Sequence, residues 1–115
     1  MTISDNILKE FKERMHLGDH EDDNLRRILS ASNKALIRSC GDYDINTDES
    51  FKELVFERSR YVYNDALEYF NENFLSEITS LGIDKALESI VLEEDTTTTT
   101  TDTATTTEGD PNATV

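Results

Sequence analysis

The sequence predicts an all-α protein: a small helical bundle of about four helices with a long central aromatic-rich helix and a disordered C-terminal tail. Three observations lead there. Apolar residues over positions 1–92 recur every three or four residues rather than every two, which is the helical period. The only proline, Pro111, lies outside that stretch, so no helix within it is broken by one. Composition then changes abruptly: residues 93–115 carry six acids and no base, and ten of the twelve residues from Thr96 to Thr107 are threonine. Such a segment buries too little to offset the cost of ordering its backbone, about 1–2 kcal/mol per residue. The expected organisation is a helical domain at 1–92 and an acidic, Thr-rich disordered tail at 93–115, which an assembly would be able to order.

Helix one is expected from Ser4, whose hydroxyl accepts from an otherwise unpaired backbone N–H while Ile3 staples to Leu8. Ile7, Leu8, Phe11 and Met15 form its stripe, and Gly18 is the expected stop. Helix two has an acidic entry, Asp19 to Asp23, that suits the positive end of a helix dipole. Leu25, Ile28, Leu29, Ser32, Ala35, Leu36 and Cys40 line one face, and Arg38 and Gly41 mark its end. The connection from Asp42 to Glu49 reads as an exposed loop.

Ser50 and Glu53 form a capping-box pattern ahead of helix three. Two apolar stripes follow: Phe51, Leu54, Val55, Tyr61, Val62, Tyr69 and Phe70 on one side, and Phe56, Tyr63, Leu67, Phe70 and Phe74 on another. A helix in a small monomer needs one such face. Two faces mean that it is buried centrally or that one of them meets another subunit. Seven of the nine aromatic residues fall between Phe51 and Phe74. An unbroken helix to Gly82 would approach 45 Å, at about 1.5 Å per residue, so a break is expected around Asn71 to Asn73. A short last helix, Asp84 to Leu92, completes the body.

The 115-residue chain holds 25 Asp+Glu against 11 Lys+Arg, a formal net charge of −14. That balance argues against a protein that coats nucleic acid by neutralising phosphates. No apolar run approaches the roughly 20 residues that cross a bilayer, and no basic, then apolar, opening suggests a secretory signal. A lone cysteine excludes an intramolecular disulfide and suits a reducing compartment.

Few residues suggest chemistry. His16 and His20 have the spacing of two ligands on one helix, but Gly18 and Asp19 lie between them and no third ligand has a recognisable spacing. Cys40 falls on an apolar face, the ordinary place of a buried thiol. No phosphate loop, nucleophile elbow or paired-carboxylate signature is present. No catalytic, cofactor or metal site is therefore expected. Arg27, Lys34 and Arg38 share one side of helix two. They fit a solvated face, inter-subunit ion pairing, or the recognition helix of a small helix-turn-helix DNA-binding regulator or antitoxin-like protein. Arg58, inside the first apolar stripe of helix three, either snorkels to solvent or meets an acidic or carbonyl partner across a subunit contact.

The stretch FKELVFERSRYVYNDALEYFNENFLSEITSLGI, Phe51 to Ile83, resembles the head–tail connector proteins of long-tailed bacteriophages. ERSRYVYNDALEYF followed by NFLSEI is most similar to connectors of phages with Gram-positive hosts, and DHEDDNLRRILSASNKALI fits their acidic turn into helix two. The resemblance covers roughly residues 4–90 and leaves the threonine-rich tail outside. It implies a non-enzymatic, cofactor-free adaptor (head completion) protein of the virion, made in the host cytoplasm and placed at the capsid–tail junction. Subunits would form a homo-oligomeric ring, typically dodecameric, beneath the portal protein. That ring would dock the next connector or a tail-completion protein, and DNA would pass through its channel without specific binding. Expected subunit-interface residues are Arg58, Arg60, Tyr61, Tyr63, Tyr69, Phe70 and Phe74. The Asp42 to Glu49 loop and the last helix are expected docking elements for neighbouring proteins.

Overall fold

A computed structural model describes the backbone of residues 3–97 and the side chains of residues 3–90. Among the described residues there are five α-helices, one short 3-10 turn and no strand. The helices are α1 (Asp5–Met15), α2 (Asp22–Cys40), α3 (Glu49–Tyr63), α4 (Phe70–Asn73) and α5 (Leu75–Thr97), with the 3-10 turn at Leu67–Tyr69 just before α4. The all-α class is as expected, with five helices in place of about four. The chain divides into two units, Met1–Lys85 and Ala86–Val115. In the second, the described residues continue α5, with Leu87 and Ile90 exposed. The expected tail beyond Thr97 lies outside the described residues.

Local chemistry sets most boundaries of the first unit. Ser4 caps α1, its Oγ accepting from the Ile7 N–H at 3.2 Å. α1 closes at His16, in the left-handed region at φ 60°, and not at Gly18. The Leu17 N–H then reaches back to the Lys12 carbonyl at 2.9 Å, which satisfies an end-of-helix acceptor before the glycine is reached. α2 ends at Cys40, and Gly41 follows at φ 116°. A Cβ on Gly41 would lie 2.5 Å from Cγ of Lys85, so conformation and space both require glycine there. Gly82, expected as a stop, lies inside α5 instead, where a methyl group would merely touch the Ser39 carbonyl at 3.6 Å. A glycine costs a helix about 1 kcal/mol, which the packing of α5 residues such as Leu81 tolerates.

α3 begins two residues earlier than a Ser50 cap would allow. Asp48 is the cap, and its Oδ1 accepts from the Phe51 N–H at 2.9 Å. The long aromatic helix does not form. α3 stops at Tyr63, and the chain turns through Asn64 and Asp65, the latter at φ 58°. Short polar side chains tolerate that left-handed geometry and weaken a helix. The freed N–H groups of Asn64 and Ala66 bond to the carbonyls of Arg60 and Tyr61 at 3.0 and 2.8 Å. The expected break near residues 71–73 is therefore the second of two, since the chain also turns at Phe74.

The main tertiary contact is α2 against α3. Phe11, Leu25, Leu29, Leu36, Phe51, Val55 and Phe70 are fully buried, and Phe11 packs on Phe56 with ring centroids 5.5 Å apart. The 42–48 loop is not wholly exposed. Tyr43 stacks on Phe51 at 5.4 Å, donates its hydroxyl to the Leu81 carbonyl at 2.7 Å, and lies 4.3 Å beneath the Lys85 ammonium. Ile45 beside it is buried as well. Ion pairs hold the rim: Lys52 to Glu10, Lys12 to Asp19 and Asp22, and Arg14 to Glu53 and Glu57.

Candidate interaction surface

The seven expected interface residues separate into three groups. Phe70 is in the core at 1 % exposure. Tyr61 and Phe74 close over it as an intramolecular cluster: Tyr61 meets both rings edge-on at 5.7 Å, and Phe70 and Phe74 stack at 5.0 Å. The Tyr61 hydroxyl accepts from Asn73 Nδ2 at 3.0 Å, which ties α3 to the end of α4. Tyr69, next to Phe70 in sequence, points outward at 56 % exposure. The turn after Tyr63 changes the angular register, so one aromatic of the adjacent pair faces in and the other out.

Tyr63 is half-buried and donates to Glu21 Oε2 at 2.7 Å. That bond to a carboxylate, followed by burial, raises the phenol pKa above its ordinary value. Arg60 is paired with Glu57 one turn before it at 2.5 Å, and its guanidinium lies 5.1 Å over the Tyr61 ring. The pairing raises its pKa.

Arg58 has a different environment. Its side chain lies partly buried along α2, and Nη1 donates to Ser32 Oγ at 3.1 Å. No carboxylate pairs with it among the described residues. A guanidinium carries five N–H donors, and burial without an anion lowers its pKa. Ser32, Asn33 and Ser59 form a fully buried polar seam near it, in which Ser59 Oγ has no hydrogen-bond partner.

Among the described residues, four large apolar side chains of the first unit remain exposed, all after the α3 break: Leu67, Tyr69, Leu75 and Ile83. Three cations of α2 are exposed too. Among the described residues, Arg27, Lys34 and Arg38 have no ion pair or hydrogen bond, whereas most other basic residues are engaged.

His16 and His20 are both exposed, and no group of three His, Cys, Asp or Glu side chains able to hold a metal occurs among the described residues. This includes the alternating run Asp42, Asp44, Asn46 and Asp48. There, Asp44 Oδ1 accepts from the Asn46 N–H at 2.9 Å, and Asp48 is committed to capping α3. Burial pushes the Cys40 thiol pKa up, and its Sγ lies 3.8 Å from the Ile78 carbonyl. Among the described residues no helix is long and apolar enough to cross a membrane.

Sequence periodicity did not anticipate Tyr43 or the buried seam around Ser59. For Tyr43 and Ile45 a signal exists, since two apolar residues in an otherwise polar loop need somewhere to be buried. Compared with family models, with curated proteins and with solved structures, the chain finds no match.

Proposed function

We propose that this chain is a structural, non-enzymatic connector subunit of a long-tailed bacteriophage. It forms a homo-oligomeric ring, typically dodecameric in such proteins, beneath the portal at the capsid–tail junction of the virion. There it continues the DNA channel and receives the next connector or tail-completion protein. The observation that carries this reading is the placement of the exposed apolar side chains. Leu67, Tyr69, Leu75 and Ile83 all fall within the Phe51–Ile83 stretch that resembles the connectors. Arg58 adds a desolvated cation with donors to spare in the same stretch. Tyr61, Tyr63, Phe70 and Phe74 act from behind this surface, as the packing that positions Tyr69 and Arg58. Arg60 contributes at its edge. An acid-rich subunit around a DNA channel offers phosphates few counter-charges, so DNA passes without being held.

Electron microscopy of the purified chain, alone and with portal particles, tests the reading. Rings, alone or seated on the portal, are the expected result. A strict monomer that never joins a portal refutes it. The free cationic stripe of α2 favours one second reading, a small helix-turn-helix DNA-binding regulator or antitoxin-like protein. Duplex binding that is lost when Arg27, Lys34 and Arg38 are reversed in charge would support that reading over the first.

A further inference from the structure

Two exposed surfaces of the first unit carry uncommitted charge of opposite sign. On α2, Arg27, Lys34 and Arg38 stand on one face with the exposed Ala31 between the first two. On the other surface, a groove of about 510 Å³ runs between α3 and the segment from Phe74 to Asp84, floored by Leu54, Phe74 and Leu81. Its carboxylates differ in commitment. Glu53 and Glu57 are held by Arg14, and Glu57 also by Arg60. Glu77 and Asp84 have no cationic partner among the described residues.

The spacings of these charges match. Arg27 and Lys34 are seven residues apart, as are Glu77 and Asp84, a rise of about 10.5 Å on each helix. Laid antiparallel, Arg27 meets Asp84, Lys34 meets Glu77, and Ala31 falls opposite the exposed Ser80. Two small side chains thus face each other midway between the ion pairs, where the helix backbones must approach. Laid parallel, Ala31 would instead face Leu81, which is buried in the core.

We propose that the cationic face of α2 in one copy docks antiparallel on the first turns of α5 along the α3–α5 groove of the next copy. The proposal rests on the reading that the chain assembles with itself, and it names the surfaces that meet. Because those surfaces share no residue, the contact is heterologous: each copy offers one and receives the other, and the chain of contacts ends only by closing into a ring.

The experiment uses two full-length variants, Arg27→Glu with Lys34→Glu, and Glu77→Lys with Asp84→Lys. All four positions are exposed, and helical content by circular dichroism, expected to match the wild type, checks that both variants fold. At low salt, sedimentation velocity should show self-association of each variant weakened on the order of 30-fold, because attraction at two positions becomes repulsion. An equimolar mixture of the two should recover it, since each reversed surface then meets a reversed mate. Wild-type association should also fall as salt rises.

Variants that associate like the wild type, or a mixture that recovers nothing, overturn the proposed contact. So does a wild type that stays monomeric at low salt. Rings that persist in both variants under the electron microscope overturn the contact and leave the connector reading standing. A wild type that also fails to join the portal overturns the connector reading itself. Duplex DNA binding lost specifically in the α2 variant assigns the stripe to nucleic acid instead.

Discussion

Arg58→Met separates what Arg58 does for the subunit from what it does for an assembly. Within the subunit, methionine keeps the length and flexibility of the stem that lies along α2 and removes one charged hydrogen bond, Nη1 to Ser32 Oγ at 3.1 Å. Such a bond contributes about 1.5 kcal/mol net. Against this, the change removes a partly buried cation with no carboxylate partner among the described residues, whose burial already disfavours its charge. Replacing a poorly compensated buried charge with an apolar side chain of similar volume is often neutral or stabilising, by about 1–4 kcal/mol. The two effects oppose each other, and because Arg58 is only partly buried the second is at the low end. Urea denaturation of the dilute protein should therefore move by no more than about 1 kcal/mol in either direction. In an assembly whose interface includes Arg58, the remaining guanidinium donors would meet a carboxylate of a neighbour, and truncating such a pair costs about 2–5 kcal/mol. That corresponds to a loss of association of about 30-fold to several thousandfold. Sedimentation velocity on the same samples reads it. A monomer destabilised by more than about 2 kcal/mol would assign Arg58 to the fold through Ser32. Unchanged association would refute the interface argument.

Three further outcomes follow from the geometry. Phe70→Ala removes the centre of the Tyr61–Phe70–Phe74 cluster and should cost about 3–5 kcal/mol in chemical denaturation, whereas Tyr69→Ala, at the exposed neighbouring position, should cost far less. Asp48→Ala removes the cap of α3 and should cost about 1 kcal/mol, with Asp48→Ser recovering most of it. For Tyr63, the bond to Glu21 raises the phenol pKa above 10.0 in the folded chain, so its contribution is complete below that pH and is lost as pH rises through the folded pKa. Denaturation midpoints followed into the alkaline range should show that loss, and Tyr63→Phe should remove its share of the slope.

The helices that were legible in the sequence are those whose stripes and end signals agree. In α1 and α2, Ile7, Leu8, Phe11, Leu25, Leu29, Ser32, Leu36 and Cys40 all lie in the interior, and Ser4 and Gly41 mark ends as expected. The aromatic series from Phe51 to Phe74 looks continuous at a helical period and masks the short polar pair Asn64 and Asp65. In the structure that pair turns the chain. The consequence reaches the interaction surface, since the orientation of Tyr69 and Phe70 depends on the turn and cannot be read from a straight helical wheel. Partners far apart in sequence, such as Tyr43 with Leu81 and Arg14 with Glu57, leave no periodic trace at all.

The contacts of Tyr43 with Phe51, Leu81 and Lys85 give the 42–48 loop an unusual mechanical status. A loop with polar tips and two buried anchors cannot fray by itself. To lift it, the Phe51 stack, the hydroxyl bond to α5 and the burial of Ile45 must be given up together. Its anchored amides should therefore exchange with solvent on the same timescale as those of the surrounding helices. The exposed residues Asp42, Asp44, Asn46 and Thr47 remain available as a cleavage or insertion site. A partner that grasps this tip pulls, through one tyrosine ring, on α3 and α5 at once.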